Sequence, residues 1–205
     1  MKTKLLSIDD PKALANVGEV LRAGGLVVFP TDTVYGLGAL ASKSESVERI
    51  FQVKARSRKK ALPVLIAGVE QLPLVVLEVS EMAHVLAEEF WPGPLTIVLL
   101  RKPDLFPEIG DENTVGIRVP DHDFTRRMLA EVGPMAATSA NRSGGRNPLT
   151  AEDVLADLWG SFELLIDGGP THGTSPSTVV DCSGEAPIIL REGPISIDQI
   201  RAALL

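Results

Sequence analysis

The stretch DDPKALANVGEVLRAGGLVVFP, residues 9–30, carries a helix and a strand back to back. Its periodicity predicts a helix over its first part. Asp9 or Asp10 can cap that helix, Pro11 suits its first turn, and Gly24 and Gly25 end it. LVVFP then reads as a short apolar strand. A helix that delivers the chain straight into a buried strand is the building unit of an α/β fold.

The same alternation runs outward to the C-terminus. SESVERIFQVKAR predicts an amphipathic helix with Val47, Ile50, Phe51 and Lys54 on or near one face. LPVLIAG, LTIVLLR, VGIRVPD, MAATSAN, FELLID, STVVDC and PIILRE read as strands. SEMAHVLAEEF, DFTRRMLAEVG, TAEDVLADLWG and SIDQIRAALL read as helices. Thr150 and Asp153 stand at capping-box spacing, and Ser196 is the expected cap of the last helix. The expected fold is a single α/β domain over residues 1–205, a mixed sheet with flanking helices. The Pro/Gly-rich pieces WPGP, NRSGGRNP and DGGPTHGTSPS fall between elements, where α/β folds place their ligands.

The bulk numbers narrow the possibilities. With 205 residues and 44% hydrophobic content the chain can bury a real core, and with 4% aromatics that core must be aliphatic. The formal net charge of -7 argues against a protein that coats nucleic acid over its whole surface, while leaving room for a local basic site. The one cysteine, Cys182, reads as a core thiol on a buried strand. No apolar run approaches the roughly 18 residues of a membrane span, and the N-terminus lacks a signal peptide's apolar core. The expectation is a cytoplasmic protein with no membrane partner.

Against that acidic background, KARSRKK at residues 54–60 gathers five of the chain's 20 Lys and Arg. A helix C-terminus accounts for Lys54 and Arg56 at most. A phosphate group accounts for the cluster better, because Arg offers a fork and Lys a point charge. Neither a P-loop nor a dinucleotide-binding glycine fingerprint occurs. PTDTVYGLG, residues 30–38, follows a strand and reads either as a polar turn organised by Asp32 or as a contact to a small polar ligand. ATSANRSGGRNP, residues 137–148, offers small residues whose backbone N–H groups can approach an anion. Arg118 and Arg191 sit in apolar strands, where each needs a structural acid or a ligand anion. His84, His122 and His172 show no metal spacing, and only His172, in its glycine-rich loop, invites attention.

Taken in order, FPTDTVYGLG, KAR, PGPLTIVL, VGIRVP, ATSANRSG, STVVD and REG form a series that resembles the YrdC/TsaC family of threonylcarbamoyl-AMP synthases. The resemblance runs from about Leu26 to Gly193, and its hallmark, K-x-R followed by S-x-N, stands here as Lys54–Arg56 and Ser139–Asn141. It implies a short form of the family, a twisted YrdC-like sheet and a concave basic cavity. It implies a nucleotidyltransferase that joins L-threonine, bicarbonate and ATP, with Mg²⁺, into threonylcarbamoyl-AMP and pyrophosphate for tRNA threonylcarbamoyladenosine modification. tRNA or tRNA-modification proteins are the implied further partners. An RNA-binding module of the same fold, or a relative that processes carbamoyl-adenylate or carbamoyl phosphate, is the alternative.

The resemblance also distributes roles. Lys54, Arg56, Ser139 and Asn141 become the candidate catalytic set. Arg56, Lys60, Thr114, Ser139, Asn141, Asn147 and Arg191 fall on the ATP side. Thr33, Leu65, Arg118, Thr138 and Ser177 fall on the threonine side, with Arg118 at the carboxylate. No residue is expected to bind a metal by itself. Two positions depart from the family pattern: Ser57 stands where many relatives have Pro, and Leu65 stands about where many place a His.

Overall fold

The computed structural model describes residues 2–105, 109–111, 113–171, 173 and 175–205. Within the opening stretch, helix α1 spans Ala13–Arg22 and strand β2 spans Val27–Phe29. The expected cap is not formed. Lys12 occupies the cap position without a side-chain cap, and the Asp10 carboxylate accepts from the Lys12 N–H in a turn ahead of the helix, 2.8 Å away. Pro11 therefore lies in that turn rather than inside the helix. Gly24, at φ 85°, stops the helix as expected.

The remaining strands are β1 (Lys4–Ser7), β3 (Gly36–Leu40), β4 (Val64–Leu65), β5 (Leu95–Leu100), β6 (Thr114–Arg118), β7 (Met135–Ser139), β8 (Leu164–Asp167), β9 (Thr178–Asp181) and β10 (Ile188–Arg191). The remaining helices are α2 (Ser44–Lys54), α3 (Glu81–Phe90), α4 (Asp123–Val132), α5 (Ala151–Leu158) and α6 (Ile197–Ala203), with a 3-10 segment at Val69–Leu74. Among the described residues all ten strands join one mixed sheet in the order β1-β8-β2-β3-β7-β4-β6-β5-β9-β10. The Thr150–Asp153 capping box and the Ser196 cap both form.

Strand alternation splits the core in two. On one face Leu26, Val28, Leu37, Val64, Ile97 and Ile117 pack with the apolar sides of α2, α3, α5 and α6. On the other, Val27, Phe29, Leu164 and Ile166 pack with Val17 and Leu21 of α1 and Phe124, Met128 and Leu129 of α4. Each such fully buried aliphatic or Phe side chain contributes about 1.5–3 kcal/mol. Gly36 and Gly38 let the Phe29 ring lie close, 3.2 Å and 3.0 Å from where their Cβ atoms would sit.

Helix α1 packs on β2, β3 and β8 and against α4, so both helices cover one half of that second face. Past β7 the same face presents Leu65 on β4, Arg118 on β6 and Thr96 on β5. These positions share a face because each is offset by one from its apolar neighbour in the first core, Val64, Ile117 and Ile97 respectively. A cavity opens there.

Candidate functional site

The cavity holds about 190 Å³. Its lining includes Thr31, Thr33, Arg56, Leu65, Thr96, Arg118, Thr138, Ser139, Ser177 and Arg191, and among the described residues no Asp or Glu. Three guanidiniums therefore share a hollow walled by hydroxyls. Arg191 senses the other two: burial, then the charges of Arg118 and Arg56, depress its pKa.

Arg118 is the most enclosed of the three. Its Nε donates to the Gly93 carbonyl at 3.0 Å, one terminal nitrogen to Thr33 Oγ1 at 2.9 Å, and the other to Asp32 Oδ1 at 2.5 Å. Of the two partners open to it from the sequence, a structural acid is thus present, and Asp32 is that acid. Burial lowers the Arg118 pKa while the Asp32 charge opposes the change. The turn that supplies Thr33 and Asp32 is organised by Thr31, whose hydroxyl donates to the Val34 carbonyl at 2.6 Å and accepts from the N–H groups of Thr33 and Val34 at 3.2 Å.

Lys54 does not reach the cavity. It is 1% exposed, and its Nζ donates to the backbone carbonyls of Ser139 and Asn141 and to Asn141 Oδ1. The Lys54 carbonyl in turn accepts from the Ser143 N–H at 3.0 Å. Asn141 Oδ1 also accepts from Ser139 Oγ at 2.6 Å, and its amide donates to the Gly145 carbonyl at 2.9 Å. The K-x-R and S-x-N pieces are therefore one structural joint, with Lys54 and Asn141 tying the loop after β7 to the end of α2. Burial draws the Lys54 pKa down to about 8; Arg56 adds to the shift and Asp157 opposes it. The glycine-rich loop spends two of its N–H groups internally, Ser143 on Lys54 and Gly145 on the Arg142 carbonyl.

Ala55 sends Arg56 the other way. It closes α2 in the left-handed region at φ 49°, so Lys54 points inward while Arg56 turns to the cavity. Arg56 is steadied by bonds to the carbonyls of Lys60 and Ala61, both at 2.9 Å. An L-residue in this conformation costs about 1 kcal/mol that glycine does not bear, partly offset by glycine's freer unfolded chain. Ala55→Gly is expected to raise stability by about 0.5 kcal/mol with turnover unchanged. Urea unfolding checks this, and a loss of stability would contradict the left-handed cap.

The far wall joins two motifs. Ser177 Oγ and Thr96 Oγ1 share a 2.7 Å hydrogen bond, and Arg191 donates to the Ser177 carbonyl at 3.0 Å and hydroxyl at 3.2 Å. Gly193 lets the REG piece lie against the backbone of residues 176–178, and Gly173 lies against the Thr33 backbone, where a Cβ would collide.

The structure thus brings Thr33, Arg56, Leu65, Arg118, Thr138, Ser139, Ser177 and Arg191 to one cavity. Lys54 and Asn141 support it from behind. Lys60, Thr114 and Asn147 are not among its lining. Lys60 and Asn147 are exposed, and Thr114 begins β6 four residues before Arg118. Of the rest of the basic cluster, Arg58 pairs with Glu48 at 2.5 Å and Lys59 is exposed. His84 is exposed on α3, His122 precedes α4, and His172 lies outside the described residues. Cys182 is buried, with its thiol pushed up to about 12 by burial. Sequence reasoning missed Thr96 and Asp32 as parts of the site. The lone hydroxyl in LTIVLL was the available signal for Thr96.

Sheet and cavity together define an α/β protein with an arginine- and hydroxyl-lined hollow on the part of one sheet face that α1 and α4 leave open. A family model described as "Telomere recombination", Sua5/YciO/YrdC, matches residues 19–193. The chain belongs to the Sua5/YciO/YrdC family. It is 42% identical over 205 residues to a protein of Bacillus subtilis (strain 168) named threonylcarbamoyl-AMP synthase, covering 98% of this chain and 59% of that one. The structure of Pyrococcus abyssi Sua5 complexed with L-threonine superposes with a TM-score of 0.93 at 37% identity, covering 98% of this chain and 61% of that one. Escherichia coli YciO superposes with a TM-score of 0.86 at 26% identity, covering 97% and 99%. The chain thus spans less than two thirds of the Bacillus and Pyrococcus proteins.

Proposed function

We propose that this chain is an L-threonylcarbamoyladenylate synthase, acting in the cytoplasm to feed tRNA threonylcarbamoyladenosine modification. Its substrates are L-threonine, bicarbonate and ATP. The observation that carries the reading is the convergence of Arg56, Arg118 and Arg191 on a hydroxyl-lined hollow with no lining carboxylate among the described residues. The threonylcarbamoyl-AMP synthase name of the Bacillus relative supports it, as does the Pyrococcus neighbour's complex with L-threonine.

In this reading the amine of threonine and bicarbonate form a carbamate with loss of water. A carbamate oxygen attacks the α-phosphorus of ATP, the bond to the β-phosphate oxygen breaks, and pyrophosphate leaves. Both reactants are anions, so they repel until held. Arg118 and Thr33 receive the threonine carboxylate, and Arg56 and Arg191 face the phosphates, where fixed cations stabilise the charge growing on the leaving group. Orientation of two bound reactants supplies several kcal/mol more. No residue forms a covalent bond. Among the described residues no group of three or more metal-ligating side chains gathers. In this reading Mg²⁺ would enter with ATP, held by the nucleotide's phosphates, and would help neutralise their charge.

The test is mass spectrometry of the products from ATP, labelled bicarbonate and L-threonine with Mg²⁺. A labelled threonylcarbamoyl-AMP that requires all three substrates is the expected result. Its absence from folded protein, or formation of carbamoyl-AMP instead when carbamoyl phosphate replaces threonine and bicarbonate beside ATP, would overturn the assignment.

A further inference from the structure

Asp32 lies outside the cavity wall but governs the wall's most enclosed cation. A guanidinium has five N–H groups. Three of those on Arg118 are held by described residues: the Gly93 carbonyl, the Thr33 hydroxyl and the Asp32 carboxylate. The three acceptors come from two separate segments, the turn after β2 and the loop before β5, so together they fix the plane of the group. Asp32 is itself braced. Its Oδ1 accepts from the Asp121 N–H at 3.2 Å, and the Thr125 hydroxyl donates to the Pro30 carbonyl at 2.6 Å, which anchors the turn to α4. The contact to Arg118 uses one carboxylate oxygen and one terminal nitrogen, not the paired fork a bidentate ion pair would use. Two N–H groups of Arg118 are thereby left for a carboxylate in the cavity.

We propose that Asp32 is a positioning residue: it locks the Arg118 guanidinium so that its remaining N–H groups meet the carboxylate of the amino-acid substrate without further rearrangement. The inference rests on the proposed function for the identity of that ligand. Preorganisation of this kind acts on affinity, because the loss of side-chain freedom has already been met in the free protein.

The test compares Asp32→Ala, which removes the acceptor, with Asp32→Asn, which keeps an acceptor oxygen and removes the charge. L-threonine binding to the whole chain is measured by calorimetry, with ATP binding as the control, and the Arg118 Nε–H signal is followed by ¹⁵N NMR without ligand. Asp32→Ala is expected to weaken threonine binding roughly tenfold or more, leave ATP binding unchanged and broaden or shift the Nε–H signal. Asp32→Asn is expected to keep both within about threefold of, or close to, the parent. An unchanged Nε–H signal in Asp32→Ala overturns the proposal whatever the affinity does, as does unchanged threonine binding. Equal losses in both variants assign the effect to charge and overturn it too. If the parent protein binds no threonine, the proposed substrate falls, and the NMR comparison alone still decides the positioning.

Discussion

Lys54→Ala is expected to cut turnover at least tenfold and to cost about 3 kcal/mol of stability. The side chain is enclosed and its ammonium serves three acceptors in the loop after β7. Removing it leaves the Asn141 carbonyl without its described donor. The Ser139 carbonyl keeps the Asn141 N–H, and Asn141 Oδ1 keeps the Ser139 hydroxyl. One orphaned buried acceptor costs about 1–3 kcal/mol, and the volume of a four-carbon chain adds a similar amount. A domain holds a margin of about 5–15 kcal/mol, so the variant stays folded. Turnover falls because Ser139, in the cavity wall, loses the tie that sets its position. Lys54→Met fills the volume and still orphans the carbonyl, so it separates packing from hydrogen bonding. Normal turnover in both folded variants would sink the joint. The pH dependence has opposite signs for stability and activity. The folded-state pKa of about 8 lies below that of a free lysine, about 10.4. Between those values the unfolded chain binds more protons, so Lys54's contribution to stability rises with pH across that window and is lost as pH falls through about 8. A neutral amine has two N–H groups for three acceptors, so turnover should decline as pH rises past the same point. Urea titrations and rates from pH 7 to 10 read both.

How much of this was legible beforehand differs element by element. The helices were legible because their apolar faces are continuous, and Lys54 shows both the strength and the limit of that signal. Its place beside Val47, Ile50 and Phe51 on the buried face of α2 foretold burial. Its place in a run of cations suggested phosphate. The structure resolves the conflict through Ala55: one left-handed residue separates two cations that adjoin in sequence, so one faces a carbonyl cage and the other a cavity. Charge counting carries no information about that turn. Of the five cations in the cluster, Arg56 alone is among the cavity lining. Strand β3 escaped notice because GLGAL has little strand propensity; its glycines are there for the Phe29 ring. β1, four residues on a sheet edge and mostly exposed, has no apolar alternation to read. LPVLIAG shrinks to the two-residue β4, because Val64 and Leu65 are the only positions paired on both sides. The site's residues were found through an ordered set of short motifs, each weak alone. Their partner Asp32 was not, because a salt bridge between residues 86 apart leaves no local trace. Thr96, whose partner Ser177 lies 81 residues on, showed only as a lone hydroxyl in an apolar strand.

Arg118→Ala is expected to weaken L-threonine binding more than tenfold and to destabilise the fold by about 3 kcal/mol, two effects with separate causes. The binding loss follows from removing the fork that meets the carboxylate. The stability loss follows from what remains: Asp32, whose side chain is 15% exposed, keeps its charge without its cation. Removing one partner of a buried pair costs about 3–5 kcal/mol, and the partial exposure of Asp32 places this case at the lower end. For a chain of this size the midpoint of thermal unfolding should fall by roughly 6–12 °C. Adding Asp32→Asn to Arg118→Ala removes the stranded charge, so the double variant should regain part of the lost stability and none of the lost binding. ATP affinity should change far less, since Arg56 and Arg191 remain. Thermal unfolding of the four proteins and calorimetric titration with each substrate read the cycle. Threonine binding at parental strength in Arg118→Ala would remove the carboxylate role. A double variant no more stable than the single would mean that Gly93 and Thr33, not Asp32, hold what the guanidinium contributes to the fold.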